Sequence, residues 1–345
     1  MIMALRDEIL EQQESINTLI NKQADPIRTI ANTIGRPSGI FIAARGTSDN
    51  AARYAKYVWG SNNRIPVALA APSLFSVYHK PPQLGDRLVV GISQSGESPD
   101  LLAVIAEANQ QGCSTLVITN RSDSPLADAA DFVIDIQAGP EISVAATKSY
   151  TAQLGAIAML SAAWEDKSQY WDQISMVPDF ISQIFLEENQ IQTYASRFRY
   201  MDQCVVLGRG FNYATAFEWS LKLKELTYTV AQPYSSADFL HGPIALVSSG
   251  FPVFALAPEG EVFDDMTTLL NRLKENNRAD LFIISDNQDL LQIADCPVPL
   301  PQGIPEWLSP LTCIIPAQLF SYHLTLIKGI DPDTPRGLSK ITRTK

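Results

Sequence analysis

The chain has 345 residues, too many for one ordinary domain and about right for two. Hydrophobic residues make up 46% and charged residues 18%, so the chain can fill complete cores and is not a disordered protein as a whole. The 26 Lys and Arg against 37 Asp and Glu give a net charge of -11, and no local basic cluster offsets it. This balance excludes general nucleic-acid binding, so an anion would have to be bound locally by backbone N–H groups.

Neither a membrane segment nor a metal site is indicated. Arg6 interrupts the N-terminal segment before an apolar core could form, so we expect no signal peptide. The uncharged stretch 149–164 is short for a membrane span and predicts a buried core helix. Four scattered cysteines without ligand spacing indicate reduced thiols and a cytoplasmic location, and three distant histidines do not suggest metal ligands.

Short apolar runs alternate with segments of helical period along the whole chain. This alternation is typical of parallel sheets covered by helices. The predicted strands are 39–44, 88–92, 115–119 and 132–136 in the first half and 204–207, 253–256, 281–285 and 297–300 in the second.

Several features of the first half recur in the second half in the same order, 164 residues later. The matched positions are 45–46 with 209–210, Gly96 with Gly260, and Ile134 with Val298. A constant spacing of this kind indicates duplication. We therefore predict an α/β protein of two tandem flavodoxin-like domains, each a doubly wound parallel sheet, related by internal duplication.

The remaining segments differ from the two copies in composition. Residues 1–36 have a helical pattern, 164–200 are amphipathic, and the last residues have turn chemistry with no apolar period. We predict an N-terminal helical segment (1–36), a first domain (37–163), linking helices (164–200), a second domain (201–330) and a C-terminal tail (331–345).

Two loops of the first copy are rich in hydroxyl groups and follow predicted strands: 45–49 (RGTSD) and 93–98 (SQSGES). In open α/β sheets, ligands bind where strands end and helices begin, and phosphate needs converging N–H groups and short hydroxyls. Gly96 would permit close approach of the backbone, and Pro99 suits the first turn of a helix. The alternative is that the serines only cap helices. Three serines, a glutamine and a glycine in six positions favour phosphate binding.

The corresponding loop of the second copy, 257–261 (APEGE), has a different chemistry. It carries no hydroxyl, lacks the N–H of Pro258, and contains two carboxylates that would repel phosphate. We therefore expect the first copy to bind an anionic group and the second copy not to.

The first helix of the second copy, 213–226, places Glu218, Lys222 and Glu225 on one face between apolar flanks. Such a stripe is expected to be partly buried and could be catalytic; the alternative is a surface salt-bridge ladder. His241 lies on a predicted loop, where functional residues concentrate, although a lone histidine is more often structural. Lys340 in the polar tail could be an ordinary solvated lysine.

Together these motifs resemble a known family. In chain order they are GTS (46–48), SQSGES (93–98), AATKS (145–149), KLKE (222–225), HGP (241–243) and PRGLSK (335–340). From about residue 30 the chain resembles the tandem SIS (sugar isomerase) domain family. Within it, the chain is similar to the isomerase half of glucosamine-6-phosphate synthase, the glutamine–fructose-6-phosphate aminotransferase, and to stand-alone SIS-type glucosamine-6-phosphate deaminases.

The resemblance implies which residues would bind the substrate. Val144 falls where the family contacts sugar hydroxyls through the backbone. The positions that match those holding the sugar phosphate are Thr47, Ser48, Ser93, Gln94, Ser95 and Ser98.

The resemblance also implies the catalytic groups. Glu225 matches the carboxylate that moves a proton between C1 and C2, and Lys222 matches a lysine close to the substrate oxygens. His241 matches the ring-opening histidine, which in this family comes from a neighbouring subunit and so implies a homodimer. Lys340 matches a tail lysine that forms an imine with an open-chain ketose. No metal and no organic cofactor is implied.

The leading hypothesis is a deaminating isomerase that converts glucosamine 6-phosphate to fructose 6-phosphate and ammonia. We expect no glutaminase module, because the SIS-like region begins almost at once; Leu240 and Gln232 also depart from the synthase pattern. The alternatives are an isomerising transaminase without its own glutaminase domain, a fructosamine-6-phosphate deglycase, and a non-catalytic sugar-phosphate sensor. The implied partner is a phosphorylated amino sugar or ketose, with neither nucleic acid nor membrane.

Overall fold

The computed structural model describes residues 4–340, which form two compact units. The first-sheet unit comprises residues 14–141, 148–176 and 339–340, and the second-sheet unit comprises residues 4–13, 142–147 and 177–338. Each unit is built around its own five-stranded sheet of parallel strands. The α/β class predicted from the alternating apolar pattern is confirmed.

The ten strands of the described residues fall into two sets of five. In chain order they are β1 (Ile40–Ala44), β2 (Val67–Leu69), β3 (Leu88–Ser93), β4 (Thr115–Thr119), β5 (Phe132–Asp135), β6 (Gln203–Leu207), β7 (Val230–Tyr234), β8 (Pro252–Leu256), β9 (Asp280–Ser285) and β10 (Cys296–Pro299). The first sheet has the order β2-β1-β3-β4-β5, and the second, taken from its other edge, β7-β6-β8-β9-β10. Each second-half strand holds the place of the strand five numbers earlier, which confirms the predicted duplication.

Helices connect these strands. They are α1 (Ala4–Leu10), α2 (Gln12–Ile34), α3 (Thr47–Ser61), α4 (Ser73–Ser76), α5 (Pro99–Gln110), α6 (Pro125–Asp128), α7 (Lys148–Glu165), α8 (Ser168–Ser175), α9 (Val177–Ile184), α10 (Glu188–Arg197), α11 (Asn212–Thr227), α12 (Ser236–Leu240), α13 (Phe263–Glu275), α14 (Gln288–Leu291) and α15 (Ser309–Ile327). Short 3-10 turns occur at Phe185–Glu187, Pro243–Leu246 and Glu306–Leu308.

Each unit contains a long helix that is buried around nearly its whole circumference. In the first-sheet unit this is α7, which confirms that 149–164 is a buried core helix. In the second-sheet unit it is α15, a helix that was not predicted from the sequence. The segment Glu306–Ile327 is long and apolar enough to cross a membrane, yet 89% of its most apolar window is buried. A helix buried to this extent is typical of a protein core.

Aromatic packing fixes the position of α11 in the second-sheet unit. The Trp219 ring of α11 lies edge-on to Phe254 of β8, with centroids 5.0 Å apart, and to Phe320 of α15, at 5.9 Å. Trp219 is fully buried. Because edge-to-face aromatic pairs have a defined geometry, this cluster sets the rotation of the helix that carries Lys222 and Glu225.

Candidate active site

The two hydroxyl-rich loops of the first-sheet unit start side by side. Ala44 at the end of β1 is paired with Ile92 near the end of β3, so residues 45–49 and 93–98 leave the same edge of the sheet. We call these two loops the first crest. Helix α3 begins at Thr47 and α5 at Pro99, as the proline predicts, so two helix N-termini lie at this edge. Their N–H groups and dipoles favour an anion.

Hydroxyl groups of the first crest organise its backbone. Ser93 Oγ accepts a hydrogen bond from the Gly96 N–H at 3.0 Å, and Ser95 Oγ accepts one from the Glu97 N–H at 3.3 Å. Ser98 stands at the N-cap of α5, but its side chain makes no capping hydrogen bond. Helix capping therefore does not account for the hydroxyl of Ser98.

Gly96 is required by its surroundings. Its φ is 65°, and a Cβ atom there would lie 2.0 Å from Ser124 Oγ. The carbonyl oxygen of the neighbouring Gln94 accepts hydrogen bonds from the Asn120 N–H at 3.2 Å and from Thr119 Oγ1 at 3.4 Å. The loop is therefore held in a tight turn against the segment that follows β4.

Two further contacts of the first crest were not anticipated from the sequence. Arg45 Nη2 lies 2.6 Å from Asp100 Oδ2 in the first turn of α5, and Ser76 Oγ donates to the other carboxylate oxygen at 2.6 Å. Asp100 is buried. On the other loop, Gln153 Nε2 of α7 donates to Ser48 Oγ at 3.0 Å. An Arg directly after a strand and an Asp directly after a helix-opening Pro are the only local signals of the first pair.

The charged stripe of the second-sheet unit is buried as predicted. Lys222 Nζ lies 3.3 Å from Glu218 Oε1 and 2.6 Å from Glu225 Oε2. The side chains of Glu218 and Lys222 are 0% and 1% exposed, whereas that of Glu225 is 23% exposed. The surface-ladder alternative is therefore wrong, and Glu225 is the member of this stripe that solvent or a ligand can reach.

The two glutamates of the stripe keep Lys222 protonated. Burial lowers the pKa of Lys222, but the charges and hydrogen bonds of Glu218 and Glu225 outweigh it and raise the pKa above its ordinary value. Lys222 is therefore a permanent cation that can stabilise negative charge but cannot act as a base near neutral pH.

His241 and Val144 also lie in the second-sheet unit, on other segments. His241 directly follows α12, is exposed, and donates its backbone N–H to the Asp238 carbonyl oxygen at 3.1 Å. Val144 is half-buried in the segment 142–147. Just before it, the N–H groups of Ile142 and Ser143 both donate to the buried Glu8 carboxylate of α1, a contact that was not predicted from the sequence.

Lys340 belongs to the first-sheet unit and is not an ordinary solvated lysine. Its Nζ atom lies 2.7 Å from Glu141 Oε2, and its side chain is 24% exposed. The rest of the predicted tail is described only in part, because residues 341–345 lie outside the described range. Between residues 4 and 340, no group of three or more His, Cys, Asp or Glu could hold a metal ion.

The structure therefore brings the predicted residues together in three groups. The hydroxyl groups of the first crest form one, Lys222 and Glu225 form a second, and the third is Lys340 with Glu141, which was not predicted as a site residue. His241 occupies a separate element of the second-sheet unit.

Comparison with known families agrees with this layout. A family model described as the SIS domain matches residues 35–163 and again residues 198–328. The two matches cover most of the chain, one around each sheet. The protein belongs to the SIS domain family and contains two SIS domains in tandem.

Comparison with individual proteins shows which members of the family the chain resembles. The chain is 34% identical over 344 residues to an isomerising glutamine–fructose-6-phosphate aminotransferase from Thermococcus kodakarensis, covering 96% of this chain and 56% of that protein. The chain thus spans about half the length of the curated relatives it matches.

Solved structures give the same picture. The C-terminal domain of a glucosamine-fructose-6-phosphate aminotransferase from Francisella tularensis has a TM-score of 0.87 at 28% identity, covering 97% of this chain and 99% of that one. A glucosamine-6-phosphate deaminase from Thermotoga maritima has a TM-score of 0.80, covering 99% and 100%; at 22% identity it shares the fold alone.

Proposed function

We propose that the protein is a cytoplasmic sugar-phosphate isomerase that converts glucosamine 6-phosphate and water into fructose 6-phosphate and ammonia. The observation that carries this proposal is the setting of Glu225. Its side chain is 23% exposed, and its buried Oε2 atom lies 2.6 Å from Nζ of the fully buried Lys222. This arrangement suits a base that must reach a substrate carbon while remaining fixed in place.

The phosphate would bind at the first crest. Thr47, Ser48 and the loop 93–98 stand at two adjacent helix N-termini, which attract an anion without a net positive charge. Holding the phosphate far from the reacting carbons restricts how the sugar lies, which lowers the entropic cost of the chemistry.

The reaction would then take place at C1 and C2 of the sugar. His241 would move the hydroxyl proton of C1 to the ring oxygen and so open the ring. Glu225 would remove the proton from C2 and return it to C1, passing through an enolamine, while the Lys222 cation stabilises negative charge on the oxygen at C1. The product is a ketimine at C2.

Lys340 would release the ammonia. Its neutral amine would attack C2 of the ketimine, forming a C–N bond as the original nitrogen leaves as ammonia, and water would then hydrolyse the lysine imine to the ketose. The nitrogen of the substrate leaves as ammonia, and the oxygen of the new carbonyl comes from water, so the overall reaction balances.

A homodimer is part of this proposal. His241 is exposed and has Leu240 and Leu246 near it in sequence, which are 45% and 53% exposed. An apolar surface around a reactive group suits contact with a second copy. Mixing Glu225→Gln with His241→Ala subunits should restore part of the activity in verified mixed dimers, because one site would then hold both intact groups. No restoration would mean that each subunit uses its own histidine.

The second candidate is an isomerising aminotransferase activity, which the names of the 34% identical relatives favour. An assay of ammonia release over glucosamine 6-phosphate and fructosamine 6-phosphates, run beside fructose 6-phosphate with ammonium or glutamine, separates deamination, deglycation and synthesis. A protein that binds these sugars without turning any of them over would be a sensor.

Glu225→Gln tests the central assignment. We expect kcat to fall by at least about 100-fold with little change in phosphate binding, because the amide cannot accept the proton. Glu275→Gln, at an exposed position at the end of α13, is the matched control and should leave kcat unchanged. Normal turnover by Glu225→Gln would exclude Glu225 as the base.

A further inference from the structure

Glu141 is a buried carboxylate with a defined set of partners in the first-sheet unit. Its side chain is 0% exposed. Glu141 Oε1 accepts a hydrogen bond from the Ser149 N–H at 3.0 Å, and Oε2 accepts one from Ser149 Oγ at 2.7 Å. Lys340 Nζ lies 2.7 Å from the same Oε2 atom. Lys340 is thus held by an anion that is itself fixed to the start of a helix.

The anchor of this carboxylate is rigid. Ser149 lies in the first turn of α7, where backbone N–H groups have no partner within the helix and the helix dipole favours negative charge. Ser149 donates to both oxygens of Glu141, and these two contacts fix the carboxylate plane relative to the helix axis. A lysine paired with such a group loses much of the rotational freedom of its long side chain.

The same helix also reaches the first crest. Gln153 is buried, lies one turn after Ser149, and donates to Ser48 Oγ at 3.0 Å. Residues i and i+4 share one helix face, separated by about 6 Å along the axis. One face of α7 therefore supports both a hydroxyl of the proposed phosphate site and the carboxylate that holds Lys340.

From this geometry we infer that Glu141 both positions Lys340 and accepts a proton from it, and that it thereby sets the rate of imine formation. This inference rests on the proposed function, in which Lys340 attacks C2. Glu141 takes a proton from the Lys340 ammonium, and the neutral amine forms the C–N bond at C2. On a ketose the carbonyl oxygen takes up two protons and leaves as water: one is the proton that Glu141 took from the ammonium, and the other is lost by the lysine nitrogen as the imine forms. The lysine imine that remains is cationic, and Glu141 is again an anion.

The competing explanation is purely structural: Glu141 could simply tie residues 339–340 to α7. Reductive trapping separates the two. In wild-type protein with fructose 6-phosphate and cyanoborohydride, hydride adds to the imine carbon and leaves a stable secondary amine on Lys340, which mass spectrometry locates. Lys340→Arg should give no adduct at this position.

Glu141→Gln is the decisive variant, because the amide keeps the volume and can still accept from Ser149 but cannot take the proton. We expect the trapping rate and kcat to fall by at least about 10-fold while KM for glucosamine 6-phosphate stays within about twofold. Glu141→Asp should recover part of the rate. The matched control is Glu165→Gln at the other end of α7, which loses its pairing with Arg36 and Lys167 but should trap normally.

Ser149→Ala keeps the test decisive if Glu141→Gln does not fold. It removes one donor to the carboxylate, and we expect a smaller fall in trapping rate, about 2- to 5-fold, at unchanged KM. If wild-type protein gives no adduct at Lys340, the proposed imine chemistry fails. If wild-type protein is trapped and folded Glu141 and Ser149 variants are trapped equally fast, the role of Glu141 is overturned while the proposed function stands.

Discussion

The loops that end the two sheets have the same ancestry but opposite electrostatic design. In the first crest, hydroxyls and helix N-termini surround the tight turn at Gly96. The equivalent loop of the second-sheet unit, 257–261, we call the second crest. There Glu306 Oε2 accepts from the Glu261 N–H at 3.0 Å, and Asp286 Oδ1 accepts from the Glu259 N–H at 2.7 Å. The second crest is therefore already filled by carboxylates of its own chain.

The Glu306 side chain lies close to two loops of the second-sheet unit. A Cβ atom on Gly260, the equivalent of Gly96, would lie 2.2 Å from Glu306 Cδ. A Cβ atom on Gly210, the equivalent of Gly46, would lie 3.9 Å from Glu306 Oε1. The Glu306 carboxylate thus stands between the two loops that correspond to the first crest. An internal anion does in one copy what we propose a sugar phosphate does in the other.

Placing a carboxylate in the first crest should remove this difference between the two crests, and of the changes that alter it we expect this one to have the largest effect. Ser98→Glu puts a negative charge at the start of α5, where the helix dipole tolerates it, so folding should be preserved. We expect the affinity for glucosamine 6-phosphate to fall by about 100-fold, equivalent to about 2.8 kcal/mol, measured by calorimetric titration.

The control for this variant is Ser114→Glu, at an exposed position of the same unit, which should bind the sugar phosphate like the wild type. If Ser98→Glu bound as tightly as Ser114→Glu, the phosphate site would have to lie away from the first crest.

Some strands and helices could be predicted from the sequence and others could not. The eight strands other than β2 and β7 are short apolar runs, and this local pattern was sufficient to predict them. Strand β2 was missed because it has only three residues, and β7 because Gln232 and Pro233 interrupt its apolar run. Helix α15 was missed although it is the most buried one in its unit, since Pro310 and Pro316 interrupt its pattern and packing overrides them.

In the candidate site, too, some residues could be predicted from the sequence and others could not. Hydroxyl-rich loops and the stripe on α11 are contiguous in sequence and could be recognised there. The partners that hold them could not, because each comes from a distant segment: Gln153 for Ser48, and Glu306 for the second crest. We expected Glu259 and Glu261 to repel phosphate from the second crest; the structure gives a different reason, since their N–H groups already bind carboxylates.

Removing the Glu306 carboxylate should make the second crest more similar to the first crest. We expect this change to have a smaller effect than Ser98→Glu. Glu306→Ala leaves the Glu261 N–H without its acceptor, and we expect the second-sheet unit to lose about 1–2 kcal/mol of stability. Inorganic phosphate should recover part of that loss, because the emptied cradle offers the same donors. Calorimetric thermal unfolding in phosphate and in chloride of equal ionic strength measures both effects.

The Ser98→Glu background isolates this recovery, because phosphate would otherwise also stabilise the first crest. The comparison is then Ser98→Glu against the double variant with Glu306→Ala, with Glu275→Ala as an exposed control in the same unit. If phosphate stabilised only the double variant, the second crest would have kept the ability to bind an anion that we propose for the first crest. Equal stabilisation of both proteins, or none, would mean that Glu306 is a simple tie and that the cradle was lost from the second copy.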